Sequence, residues 1–132
     1  MSQNESKTDT PKNSWVKDGW LISSTKFRSH YLDGQLHRLD GPAVISTIGS
    51  PNEFYEAWYK FGRRHRISGP AVVYNDYREW HFEGQFHRED GPAIERVDTS
   101  EYWLRGAKIH ASSLEEFQEA VKIWIVTQVL QT

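Results

Sequence analysis

The sequence predicts a mainly β chain, with tandem antiparallel β-hairpin repeats forming one twisted sheet and a C-terminal α-helix closing it. Three observations predict it. A string ending in His-Arg-x-x-Gly-Pro-Ala occurs three times without gaps. Aromatic residues are abundant, with six Trp, six Tyr and six Phe among 132 residues, and large flat side chains pack well on a pleated surface. One stretch near the C-terminus carries helical rather than alternating spacing.

The repeat sets the strands. Its copies run from His30 to Ala43, from Trp58 to Ala71 and from Trp80 to Ala93. A fourth begins at Tyr102 and loses the pattern after Ala107, and a fainter first half is read at Trp15 to Gly19. The turn glycines Gly34, Gly62, Gly84 and Gly106 are separated by 28, 22 and 22 residues. The period is therefore 22, and the first interval holds 28 − 22 = 6 extra residues near Ser46 to Glu56. Gly49, Ser50, Pro51 and Asn52 make that insert a surface loop.

Within a unit, an aromatic strand leads into a turn at Asp33-Gly34, Phe61-Gly62, Glu83-Gly84 or Arg105-Gly106. Glycine supplies the positive φ of a tight hairpin corner. The chain returns through His-Arg to Gly-Pro-Ala. Proline lacks a ladder donor, so Gly-Pro is expected at a bulge or a strand start. Hairpin follows hairpin over residues of about 15 to 110.

The helix is expected over 113–130. Ser113 and Glu116 match a capping box, and acidic residues suit the positive end of the helix dipole. Leu114, Phe117, Val121 and Trp124 form one apolar stripe, while Ile123 to Val126 is apolar all round. A helix apolar on every side is covered on more than one side. Either the loop Ser46 to Glu56 or the N-terminal segment covers the second side, or Phe117, Ile123, Trp124 and Val126 carry self-association into a homo-oligomer.

Composition narrows the function. The chain has no cysteine, which excludes disulfides, thiolate metal sites and thiol nucleophiles. No run of 18 apolar residues occurs, so no membrane span is expected. Residues 1–13 are polar and read as a disordered tail preceding a single domain over 14–132. The expected location is the cytoplasm. A formal net charge of −2 is not that of a general polyanion binder.

Six histidines invite a catalytic reading. His37, His65 and His87 share one repeat position, followed by Arg38, Arg66 and Arg88. Catalysis needs one positioned base beside one nucleophile, whereas a residue reiterated in every unit supports the unit. His37, Arg38, His65, His87 and Arg88 are therefore read as structural, bonding turn carbonyls or stacking on Trp and Tyr. Arg38 with Asp40 and Arg88 with Asp90 form natural local ion pairs. Arg66 meets only Ser68 and is expected to be freer. Equivalent histidines lie two strands apart, roughly 10 Å, too far to share a metal held at about 2 Å. No metal and no cofactor are expected, and no phosphate loop or nucleophile elbow is present.

The unit resembles the MORN family of β-hairpin repeats, in a variant running Trp-Tyr-x-Asn-Gly-x-x-His-Arg-x-Asp-Gly-Pro-Ala. Residues 30 to 106 carry the resemblance. Phe61 stands at its Asn position and Ser68 at its Asp position, and the last unit lacks the second half. The resemblance implies a binding scaffold of the kind encoded by phages and large viruses.

The expected function is a non-enzymatic protein-binding module, and the resemblance implies a phage or viral accessory protein that binds and inhibits a host protein. Tyr59, Arg63, Arg64, Arg66 and Trp80 are its expected partner contacts, since aromatic and Arg side chains dominate interface hot spots. Two alternatives stand beside it. Lys60, Arg63, Arg64 and Arg66 interleave with Trp58, Tyr59 and Phe61, a composition that also suits single-stranded nucleic acid. The other is a small enzyme using a His-Arg pair.

Overall fold

The computed structural model describes residues 17–22, 26–46 and 54–131. The expected tail over 1–13, Trp15 and the loop tip at 47–53 lie outside the described residues.

Extended backbone comes in short pieces: β1 (Gly19–Ile22), β2 (Phe27–Leu32), β3 (Gln35–Leu36), β4 (Val44–Ser46), β5 (Tyr55–Ala57), β6 (Tyr59–Lys60) and β7 (Arg63–Arg64). They continue with β8 (Val72–Tyr74), β9 (Tyr77–Glu79), β10 (His81–Phe82), β11 (Gln85–Phe86), β12 (Ile94–Glu95), β13 (Ser100–Leu104) and β14 (Ala107–Ile109). The helix α1 (Leu114–Leu130) follows. Every pairing is antiparallel, and the main sheet runs β1-β2-β4-β5-β8-β9-β12-β13-β14, with β3 paired to β2. The sheet is open and mainly built of neighbours in sequence, as the repeat requires.

Each aromatic strand of the middle units is interrupted after its first half. The ladder breaks at Trp58 and Trp80, and the tips β6–β7 and β10–β11 form separate two-stranded ladders. Both central residues of every tip have positive φ: Asp33 and Gly34, Phe61 and Gly62, Glu83 and Gly84, Arg105 and Gly106. That is the twist-matched two-residue hairpin turn. Its first position is hard on Phe61, at φ 47°, because a Cβ crowds the following carbonyl there.

The return limb is a loop rather than a strand, and Gly-Pro stands two residues ahead of each new strand at Val44, Val72 and Ile94. The alanine after each proline is completely buried. Ala71 shows why. Its N–H donates to Glu79 O at 2.7 Å, and its carbonyl accepts from Trp58 N at 2.6 Å. Ala43 and Ala93 repeat the pattern. A residue gripped by strands on both sides has room for one methyl group.

Register fixes the faces. Leu21, Ser29, Val44, Ala57, Val72, Glu79, Ile94 and Glu101 lie opposite one another across successive strands and so share one face. Ala57, Val72, Glu79 and Ile94 of that row are buried.

The helix starts as expected. Ser113 caps it, accepting from Glu116 N at 3.1 Å, and the Glu116 carboxylate takes the Ser112 N–H at 2.7 Å. Phe117 and Val121 enter an apolar cluster with Leu104, and Phe117 stacks on Tyr102 at 4.4 Å. Phe117 is thus a correction to the expected self-association surface. It is the one large side chain fully buried among the described residues, and it anchors the helix to the last hairpin. Trp124 is half-buried against His87, at 5.5 Å between rings. Ile123 and Val126 remain exposed.

Within the segment read as a faint first half, Trp15 and Val16 lie outside the described residues, while Lys17 and Asp18 play the part of residues just after a turn. Gly34 N donates to Lys17 O at 2.9 Å and Asp33 N to Asp18 Oδ1 at 3.0 Å. In the next unit the same two donors use Leu36 O and His37 Nδ1. Lys17 and Asp18 therefore stand where Leu36 and His37 do.

Candidate functional site

The repeated histidine couples one unit to the next. The Nδ1 atoms of His37, His65 and His87 accept the backbone N–H of Phe61, Glu83 and Arg105 at 3.0, 2.9 and 2.9 Å. Each acceptor is the lone pair of a neutral ring, so the proton sits on Nε2. Beside each bond the turn glycine donates to the carbonyl preceding the histidine, as Gly62 does to Leu36 at 2.8 Å. The turn of each unit is thus held in place by the unit before it. Protonation would set one N–H against another. Burial, with the nearby Lys60 charge, holds His65 below its ordinary value.

The repeated arginine braces its own loop. Arg38, Arg66 and Arg88 each donate from Nη1 to the carbonyl of Pro42, Pro70 or Pro92, at 3.1 Å in all three. Arg66 lies 3.9 Å over the Trp58 ring and Arg88 3.8 Å over Trp80. In the first unit, where His30 replaces that Trp, Arg38 lies 5.1 Å from Trp20 on the adjoining strand. The guanidinium also explains the glycine before each proline. A Cβ at Gly41, Gly69 or Gly91 would come within 2.6, 2.9 or 3.0 Å of the Arg Cζ. These glycines are small because a plane of charge lies on them, not because their φ demands it.

Arg66 is therefore less free than expected, since Trp58 and Pro70 hold it as its sisters are held. One difference survives. Arg38 Nε donates to Asp40 at 3.1 Å and Arg88 Nε to Asp90 at 2.8 Å. Ser68 occupies that place in the middle unit, and Arg66 has no carboxylate partner among the described residues.

Of the expected partner contacts, Arg66 and Trp80 come together. Both line an open groove of about 770 Å³ between the 66–70 loop and the 87–90 loop, with Ile67, Phe82, Arg88 and Arg105. Tyr59 and Arg64 form a second pair, bonded at 3.3 Å. Arg63 stands apart, exposed at the start of β7. The basic cluster Lys60, Arg63, Arg64 and Arg66 is thus divided between surfaces, because adjacent residues of a strand point to opposite faces.

Arg64 belongs to a polar knot that the sequence did not announce. Its Nη1 lies 3.4 Å from Glu79, which also receives His81 Nε2 at 2.8 Å and the Tyr77 hydroxyl. Glu79 and His81 are buried. Burial raises the Glu79 carboxyl, but the His81 and Tyr77 hydrogen bonds outweigh it and hold the group below the usual carboxylate range. Burial and the carboxylate together push Tyr77 up to about 12. His81 Nδ1 is enclosed without a partner among the described residues. One signal was available: Glu79 stands in the aligned column of Ala57, and Arg64 in that of Leu36 and Phe86.

Among the described residues no group of three or more His, Asp and Glu could hold a metal ion, and no helix is long and apolar enough to cross a membrane. Comparison with protein-family models, curated proteins and solved structures returns no match.

Proposed function

We propose that the chain is a non-enzymatic protein-binding module, with the groove between its second and third return loops as the principal contact surface. The observation that supports it most is what the groove leaves unsatisfied. Ile67 is 84% exposed at its lip, and Trp80, Phe82 and Arg105 stand behind it. Aromatic and Arg anchors beside an exposed aliphatic are the composition of an interface centre. The histidines and arginines that could serve an enzyme are instead engaged by backbone and ring partners. In the reading the repeat resemblance suggests, the protein is a viral accessory factor and its partner an inhibited host protein.

Affinity capture from the native cell tests this, comparing the wild-type chain with an Ile67→Asp, Trp80→Ala variant that retains its β signal. A protein retained by the first and lost by the second is the expected result. Release by nuclease, with a steep loss between low and moderate salt, would instead favour nucleic acid. The outer helix strip of Ile123 and Val126 is a second surface, suited to another copy of the chain. Light scattering should then give a dimer mass that Val126→Asp reduces by half, and a monomer at every concentration would end that part.

A further inference from the structure

The geometry points to a more specific occupant for that groove, an acidic segment of the partner protein whose carboxylate takes the place left by Ser68. This rests on the protein-binding reading above. The three return loops are copies, and their arginines share a pose fixed by the proline carbonyl at 3.1 Å and by a Trp ring. In that pose the Nε–H of Arg38 and of Arg88 meets an aspartate two residues on. Arg66 keeps the pose and has no aspartate to meet. The fold has therefore prepared a guanidinium, stacked and immobilised, for a carboxylate that its own unit does not supply. Little side-chain entropy remains to be lost on binding, which is what favours a preorganised site.

The rest of the groove agrees in charge. Three guanidinium groups line it, Arg66, Arg88 and Arg105, against two carboxylates, Glu89 and Asp90. Asp90 is paired with Arg88 at 2.8 Å, and Glu89 accepts a hydrogen bond from the neutral His87 ring at 3.1 Å, so three guanidinium groups face two carboxylates and the groove stays net positive. Arg66 and Arg105 are the two of these arginines that no ion pair engages among the described residues. Arg105 lies 5.2 Å from the Phe82 ring and has no carboxylate partner among the described residues. Two unmatched cations on one groove, with Ile67 at the lip, suit a segment with paired acidic residues next to an apolar one. A nucleic-acid strand is less suited, because Glu89 and Asp90 would face its phosphates.

The test uses the full chain and an octapeptide with two adjacent aspartates flanked by leucines, with the asparagine peptide as control. Titration is followed on the arginine Nε–H signals by NMR. The aspartate peptide should move the Arg66 and Arg105 signals, and the asparagine peptide should not. Ser68→Asp restores the internal partner and should weaken peptide binding by about tenfold while leaving the fold intact. Arg105→Glu should weaken it by a similar factor. Equal response to both peptides, no response to either, or undiminished binding by Ser68→Asp overturns the proposal. The failures are separable. If Ser68→Asp still captures the natural partner as wild type does, the acidic site is wrong and the binding module stands. If wild type captures none, the module itself falls.

Discussion

Two joints of this molecule solve the same problem by opposite means. Where the second unit meets the third, Arg64, Tyr77 and His81 converge on the buried Glu79 carboxylate, and the alanines beside them are gripped by backbone bonds. Where the last hairpin meets the helix, Leu104, Phe117 and Val121 meet as apolar volume, with no polar group in the cluster. The first joint is directional and tolerates little misalignment. The second is steric and depends on one large ring. A ladder of identical units needs register at every step, which hydrogen bonds specify. An end cap needs only to exclude water, which burial does well. The steric joint should accordingly be the more costly to break. Phe117→Ala is expected to destabilise the chain by about 3–5 kcal/mol, read from urea midpoints, with loss of helical dichroism. A cost below about 1 kcal/mol would mean that the helix contributes little to the domain.

The directional joint should yield less. Glu79→Ala removes the acceptor of three donors at once and leaves the buried His81 N–H unsatisfied. The expected cost is about 1–3 kcal/mol, moderated because Arg64 can turn toward water. A null effect in denaturant titration would show that the knot is ornamental and that the alanine contacts alone hold the register. Arg64→Leu, matching Leu36 of the first unit, offers a sharper comparison, since it withdraws the cation and leaves the buried Glu79 carboxylate to His81 and Tyr77 alone, so it too should destabilise.

Much of this was legible. The 22-residue period, the four turn glycines and the Ser113 cap each follow from a rule that acts within a few residues, and the structure has them there. What lay between units was not legible. The histidine bond joins residues 24 or 18 positions apart, so reading one copy at a time predicts a local partner where the true one belongs to the next copy. The hold on Arg66 was not legible for a similar reason. Its sequence neighbour Ser68 suggested freedom, while Trp58, eight residues back, was already beneath it. Phe117 was grouped with Ile123 and Val126 because a helix apolar all round does not declare which side meets the sheet. Glu79 could have been found, because its aligned column holds Ser29, Ala57 and Glu101, and a carboxylate where one copy has a buried alanine must have a partner or an exposed site.

The His65 joint adds a pH dependence of defined sign. His65 is lowered in the fold, chiefly by burial and then by Lys60, so the unfolded chain binds its proton more readily. Stability from this group is fully present above the ordinary value of 6.5 and is lost as pH falls below it. Urea midpoints should therefore drop between pH about 7.5 and about 5.5, a window above the carboxylate titrations. His65→Gln retains an acceptor for the Glu83 N–H but cannot titrate, so it should flatten that slope. An unchanged slope in the variant would assign the dependence elsewhere.

The smallest effect separates turn from joint. Glu83 and Phe61 occupy the same strained turn position, at φ 48° and 47°, and asparagine is at ease there where both are not. The two nevertheless differ in what their side chains do. The Phe61 ring packs on His37 at 4.4 Å, a contact worth about 0.5–1.5 kcal/mol. Among the described residues no ring contact or ion pair holds the Glu83 side chain, whose charge acts on His65 only at a distance, and its backbone N–H is the group His65 bonds. Glu83→Asn should consequently stabilise the protein by about 0.5–1 kcal/mol, raising the thermal midpoint. Phe61→Asn relieves the same strain but loses the stacking, and the two terms nearly cancel. Equal gains in both variants would mean that the ring at the joint contributes nothing and that the backbone bond alone couples these units.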